Sequence, residues 1–376
     1  MKVEFYRHSL GEEEERSLIN ALRGVFLTSG PVTRDFEKAF GEYLDCRHVV
    51  GTYSCTTALF LCLKALGIGA GDEVITTPMT FIATANAILE AGAHPVFVDV
   101  ERSTGNLDVQ QLSGAVTERT KAIVPVHLYG HMCDMRRLSD VARARGLHLI
   151  EDAAHCVEGS RDGVRPGQLS DAACFSFYAT KNMTAGEGGA VATNQPELAE
   201  RLFILRSHGM DKAAADRYSG AYRHWDMPLL GYKGNMFDLQ AALLLPQIGK
   251  LAQKLQERDR IRRRYDEAFS HHPLLGLPQT LEGATHARHL YTVWAPAGKR
   301  DAFLAGLNRE GIGVAVNYRP VHLMQYYRGQ LGFRPGMYPV AEEIGERTVS
   351  LPFYPGLKDE EVEAVIAAVE KTLSAL

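Results

Sequence analysis

The chain has 376 residues, 45% of them hydrophobic and 23% charged, with a formal net charge of −4. That length supports one large core or two packed domains, and the weak acidity gives no electrostatic case for nucleic acid or an anionic membrane. No apolar run nears the roughly 20 residues of a membrane span, and Met1-Lys2-Val3-Glu4-Phe5 lacks the apolar core of a secretory leader, so a cytoplasmic protein is expected.

From about residue 50 to 195, short apolar strand-like runs alternate with helical ones. The runs Glu73–Thr77, Pro95–Asp99, Lys121–Leu128, His148–Asp152, Ala172–Phe177 and Gly189–Thr193 read as strands covered on both faces. Thr57–Leu66, Thr84–Ala91 and Asp134–Arg145 read as helices, each followed closely by a glycine that can end it. Repeated β-α-β units of this kind predict a mainly parallel sheet with helices on both faces. From Met236 to about His271 the pattern becomes one long helical stretch, whose charged run over residues 257–264 reads as a solvated face. Strands around His289–Ala295 and Gly313–Asn317 and a closing helix over Asp359–Leu376 suggest a smaller α+β unit. The expected division is residues 1–248 for the large domain and 249–376 for the small one.

The six cysteines (Cys46, Cys55, Cys62, Cys133, Cys156 and Cys174) form no C-x-x-C pair, so nothing suggests a zinc site or a redox dithiol, and buried reduced thiols are expected. Because Cys174 is the last, a reactive cysteine on a late loop, as a cysteine desulfurase requires, does not exist. A nicotinamide dehydrogenase would need G-x-G-x-x-G after its first strand, and the residues from Gly51 to Thr56 do not supply it.

Ligands of open α/β sheets bind beyond the carboxyl ends of the strands, and three such ends carry polar residues. They are Glu151-Asp152-Ala153-Ala154-His155, then Ser176-Phe177-Tyr178-Ala179-Thr180-Lys181-Asn182, and the turn Ser54-Cys55-Thr56-Thr57 leading into a helix. Each has a plain structural explanation. Asp152 could cap a helix, Lys181 could be solvated, His155 could be a satisfied core histidine, and the hydroxyls could be an N-cap cluster. Together they meet the demands of pyridoxal phosphate (PLP): a helix start for the phosphate, an acid for the pyridinium nitrogen, and a lysine able to form an imine with its aldehyde.

At these residues the sequence resembles the sugar aminotransferases of the DegT/DnrJ/EryC1/StrS family, which have PLP fold type I. The resemblance runs from Phe5-Tyr6-Arg7-His8-Ser9-Leu10-Gly11 through Thr80-Phe81-Ile82-Ala83-Thr84 and Val126-His127-Leu128-Tyr129-Gly130 to Asn317-Tyr318-Arg319-Pro320-Val321-His322. It implies an α/β protein, a large domain with a mostly parallel sheet flanked by helices and a smaller C-terminal α+β domain. It also implies that Lys181 holds the cofactor and carries the proton, that Asp152 pairs with the ring nitrogen, that Phe81 stacks on the ring, and that His155 lies beside it. Ser54, Cys55, Thr56 and Ser176 match phosphate contacts. Asn235 matches a residue that reaches the phosphate in the neighbouring subunit of a homodimer, and Tyr318 and His322 match a loop facing the sugar nucleotide.

Two departures stand out. Cys55 replaces a usual glycine before the phosphate-binding threonine, and Gly234 stands where relatives carry an aromatic, which puts the Asn235 contact in doubt. The resemblance implies transamination, because relatives that remove a hydroxyl carry histidine at the position of Lys181. The segment Thr184-Ala185-Gly186-Glu187-Gly188-Gly189 is similar to members acting at C4 of 4-keto-6-deoxy nucleotide sugars, with glutamate as the expected donor. The alternatives are action at C3, or a non-catalytic regulator on the same fold.

Overall fold

A computed structural model describes residues 1–212 and 224–376. Strands β1 (His48–Thr52), β2 (Glu73–Thr76), β3 (His94–Phe97), β4 (Thr120–Ile123) and β5 (His148–Asp152) alternate with helices. After α1 (Glu12–Arg23) and α2 (Pro31–Leu44), those helices are α3 (Cys55–Ala65), α4 (Ile82–Glu90), α5 (Leu112–Ala115) and α6 (Met135–Arg145). Then come β6 (Ser160–Arg161), β7 (Ala172–Ser176), β8 (Gly189–Thr193), α7 (Pro196–Leu205), α8 (Asp238–Ile248) and α9 (Leu251–Phe269). The remainder holds β9 (Ala284–Thr285), β10 (Tyr291–Trp294), α10 (Arg300–Arg309), α11 (Gln325–Leu331), α12 (Pro339–Arg347), β11 (Thr348–Leu351) and α13 (Asp359–Ser374).

Seven strands form one sheet in the order β1-β8-β7-β5-β4-β2-β3. Only β8 opposes the others, pairing antiparallel with both β1 and β7. Successive strand residues point to opposite faces, and the cores follow that alternation. Ile75, Leu149, Ala173 and Phe175 join a cluster with Phe36 and Phe40 of α2, Leu138 of α6 and Leu244 of α8. Val74, Ile150, Cys174 and Val191 join a second cluster with α3, Ile88 of α4 and Leu202 of α7. Both faces are therefore covered, as continuously apolar strands require. All six cysteines are free and buried, and no helix among the described residues is long and apolar enough to cross a membrane.

The expected strand Lys121–Leu128 is shorter than its apolar run. Pro125 has no amide to give the ladder, so β4 stops at Ile123 and only an isolated bridge joins Val126 to Asp152. The single helix expected from Met236 is two. Pro246 removes an amide from the last turn of α8, Gly249 follows, and α9 starts at Leu251. Gly313–Asn317 is not a strand: Ala315 makes one bridge to Ser350, while Gly313 lies against the N-terminal segment, where a Cβ would meet the Phe5 nitrogen at 2.5 Å.

The charged run is not a plain solvated face. Arg260 and Arg264 reach α13 at Asp359 and Glu363, and Arg258 is fully buried against Glu158. A third core cluster joins Ile261, Tyr265 and Phe269 of α9 to β10, β11, α10 and α13, together with Val3 from the N-terminus.

Candidate active site

Because β8 alone runs backwards, the ends of β1, β2, β5 and β7 and the start of β8 share one edge of the sheet. Above it lies a cavity of about 560 Å³, lined by Ser54, Cys55, Thr56, Phe81, Asp152, His155, Ser176, Lys181 and Tyr318 among others. The structure thus gathers nine of the eleven residues singled out in the sequence.

The turn after β1 caps α3: Ser54 Oγ accepts the Thr57 amide at 3.1 Å. Cys55 and Thr56 form the first turn of this helix at the cavity wall, where helix amides and the positive end of the dipole favour an anion. Gly189 makes the approach possible. It pairs with Thr52 on one side and Ser176 on the other, and a Cβ there would lie 2.3 Å from the Ser54 carbonyl carbon and 2.5 Å from the Cys55 nitrogen. The Cys55 side chain is buried, and burial first, then the Asp152 charge, pushes its thiol well up. It is a neutral wall atom at neutral pH.

Asp152 ends β5 and is buried. Its Oδ2 accepts from Thr84 Oγ1 at 2.7 Å and its Oδ1 from the Ala154 amide at 3.1 Å. Since the single Thr84 proton points to Asp152, Thr80 Oγ1 donates to Thr84, 2.8 Å away. Each carboxylate oxygen keeps a lone pair for a further donor.

Lys181 lies on the loop between β7 and β8. Its amide bonds the Tyr178 carbonyl at 2.9 Å, and Gln247 of α8 grips the same loop through Thr184. Burial lowers the Lys181 amine to about 8, and Asp152 opposes that shift without cancelling it. The amine is therefore accessible as a neutral base near physiological pH.

His155 takes the amide of Tyr129 on Nδ1 at 3.3 Å, so its proton resides on Nε2, which faces Tyr318 Oη at 3.0 Å. Burial, then the charge on Lys181, holds this imidazole well below its ordinary range, so it is neutral. Tyr129 delivers its amide from a left-handed backbone, φ 57° and ψ 1°, a strained conformation for a residue with a side chain. Phe81 is no core phenylalanine: it is 55% exposed, and its ring centroid lies 6.0 Å from that of Tyr318.

Two expected residues lie elsewhere. His322 is fully buried, with Nε2 2.9 Å from Glu342 Oε1, so of the pair expected to face substrate only Tyr318 reaches the cavity. Asn235 bridges Thr52 and donates to Ser29 Oγ at 2.8 Å, away from its own chain's cavity, with its buried Oδ1 unpartnered. The glycine before it is packed: a Cβ on Gly234 would meet Thr57 of α3 at 2.9 Å, leaving no room for an aromatic. Sequence reasoning missed Thr80 and Thr84 as the carboxylate's orienters and Tyr129 as the histidine's. All three stand in motifs already noted, but only the fold brings them against Asp152 and His155.

The cavity fits pyridoxal phosphate: an amine able to be neutral, a buried carboxylate with free lone pairs and a capped helix start converge on a space of its scale. Fold and cavity define a PLP-dependent aminotransferase of fold type I. The model of the DegT/DnrJ/EryC1/StrS aminotransferase family matches residues 8–370, and the chain belongs to that family. The spore coat polysaccharide biosynthesis protein SpsC of Bacillus subtilis is 44% identical over 367 residues, 96% of this chain and 94% of that protein. Among solved structures, a Streptococcus pneumoniae protein in its PMP form has TM-score 0.94 at 32% identity, with all of both chains covered. Helicobacter pylori PseC, an aminotransferase involved in pseudoaminic acid biosynthesis, has TM-score 0.93 at 29% identity, again with both chains fully covered.

Proposed function

We propose that the enzyme moves an amino group from glutamate to a nucleotide-linked keto-sugar, at C4 of a 4-keto-6-deoxy sugar, for polysaccharide biosynthesis. The observation that carries this reading is the convergence of Lys181, Asp152, His155 and the α3 cap in one cavity that opens, past Phe81 and Tyr318, into a groove. That groove has a volume of about 810 Å³ and is lined by Phe81, Tyr318, Arg319 and Tyr326 among others. Aromatic faces suit a base and a guanidinium suits a diphosphate, so the groove can take the part of the substrate that does not react. The names of SpsC and PseC, which refer to spore coat polysaccharide and pseudoaminic acid biosynthesis, favour a sugar acceptor. The residues 184–189 resemble those of members acting at C4, and Glu187 lines the cavity.

PLP, when bound, supplies an aldehyde that amines condense with and a cationic ring that accepts the electron pair left when a carbon loses its proton. The remaining work falls to the chain. Ser54, Ser176 and the first turn of α3 hold the phosphate, Asp152 holds the ring nitrogen's proton, and Phe81 covers the ring. Lys181 Nζ takes the proton from the donor's α-carbon and, in the second half-reaction, delivers one to C4 of the sugar. His155 donates from Nε2 without adding charge beside the lysine. The two half-reactions share one site, so ping-pong kinetics are expected. Tyr318 faces the substrate, and His322 supports that loop through Glu342.

The active unit in this reading is a homodimer with shared sites. Asn235, turned away from its own cavity, serves the partner's phosphate, and the exposed Ile19, Leu22, Val25, Leu27 and Phe237 supply the apolar surface. A panel of 3-keto and 4-keto nucleotide sugars, assayed with glutamate and with the product position fixed by NMR, tests the reading. Amination at C4 of 4-keto-6-deoxy sugars is expected; amination at C3, or of no nucleotide sugar, contradicts it.

A further inference from the structure

The site as described leaves a buried group of charged and polar side chains unused, beneath the loop that carries Lys181. Arg258 and Glu158 form an ion pair whose side chains are each 2% exposed. The other carboxylate oxygen of Glu158, Oε2, accepts from Asn182 Nδ2 at 2.7 Å, and the same nitrogen donates to the Ala287 carbonyl at 2.8 Å. Both partners can only accept, which fixes the orientation of the Asn182 amide. Its Oδ1 must therefore receive the proton of His289 Nδ1, 3.2 Å away. The His289 ring in turn lies over His155, with centroids 4.3 Å apart. Asn182 follows Lys181 directly in the chain, and a small cavity of about 20 Å³ joins Lys181, Asn182, His289 and Arg258.

We propose that Asn182 is a positioning residue for the reaction, clamped between the buried Glu158–Arg258 pair and His289 so that Lys181 and His155 keep fixed places. Each contact has a distinct consequence. The carboxylate and the Ala287 carbonyl lock the Asn182 side chain, and with it the backbone on which Lys181 stands. The amide oxygen gives His289 an uncharged acceptor. A carboxylate in its place would favour a protonated ring, and a cation would then face His155 and Lys181. Arg258 pairs with Glu158 in a site where an unpaired carboxylate would be costly, which accounts for a fully buried arginine on an otherwise charged helix face. Burial and the charges of Lys181 and Arg258 keep His289 well below its ordinary range, in keeping with a neutral donor to the amide.

The inference rests on the proposed role of Lys181, so the test starts from the cofactor-free protein, where the lysine is read directly. The pH midpoint of acylation at Lys181, followed by peptide mass spectrometry, is expected near 8 in the wild type. In Asn182→Ala the loosened loop admits water, and the midpoint rises toward that of an ordinary lysine by at least about half a unit. In the holoenzyme, kcat falls about tenfold or more while KM for glutamate changes less than about threefold, the split expected of a group acting on geometry rather than on binding. His289→Phe keeps a ring over His155 but loses the Nδ1 proton, and is expected to move both readouts the same way by less; it also serves if Asn182→Ala does not fold. Folded variants with an unchanged Lys181 midpoint and unchanged kcat overturn the proposal. A wild-type midpoint near that of a free lysine would instead overturn the reading of Lys181 itself, and the proposal with it.

Discussion

In the mechanism we propose, Lys181 concentrates the chemistry because of where its amine sits. An ordinary lysine is almost wholly protonated at neutral pH, whereas an amine lowered to about 8 is neutral often enough to act as nucleophile and base. Lys181→Ala is expected to lower turnover about a thousandfold or more and to remove the absorption of the bound cofactor, as steady-state assays and spectra will show. The same shift has a stability consequence in the cofactor-free protein. The unfolded chain holds the Lys181 proton up to the ordinary lysine range and the folded chain gives it up near 8, so folding opposes the charged form at all lower pH. Lys181→Met is thus expected to raise stability by about 2–3 kcal/mol at pH 7. That gain shrinks as pH rises from about 8 through the ordinary lysine range, and thermal melts across pH will measure it. The residues that converge on the cavity were legible because polar groups at strand ends are conspicuous among apolar runs. Thr84 and Tyr129 were not, because a threonine or tyrosine near an apolar run has no signal of its own until a neighbouring strand turns its partner toward it.

At the scale of elements, the site depends on β8 running against its neighbours. That reversal brings Gly189 between Thr52 and Ser176, close under the α3 cap. Gly189→Ala should force the cap away, costing about 1–3 kcal/mol of stability. It should also weaken cofactor binding about tenfold or more, as equilibrium dialysis will show; a variant that binds the cofactor normally would disprove the role of this contact. The sequence pattern located most strands of the sheet, since runs buried on both faces stand out. It misplaced the breaks. Pro125 ends β4 and Pro246 with Gly249 divides α8 from α9, yet an apolar or helical pattern continues across both. The charged run of α9 likewise hid Arg258, because burial of an arginine depends on a carboxylate 100 residues away in the chain.

At the scale of the molecule, the catalytic unit we propose has two chains. Lys181→Ala and Asn235→Ala homodimers should each be impaired, the first more severely. After subunit exchange a mixed dimer contains one site with both residues intact, so the mixture should regain a clear fraction of wild-type activity. No gain on mixing would place Asn235 in the service of its own subunit. The division at residues 248 and 249 remains a proposal of the same rank; limited proteolysis near the α8–α9 break would reveal it. The attachment of the cofactor bears most directly on the whole account. Borohydride reduction of the holoenzyme followed by peptide mapping should place the cofactor's added mass on Lys181, and prior incubation with glutamate should abolish that label. Label on another lysine, or label at Lys181 that glutamate does not remove, would contradict it.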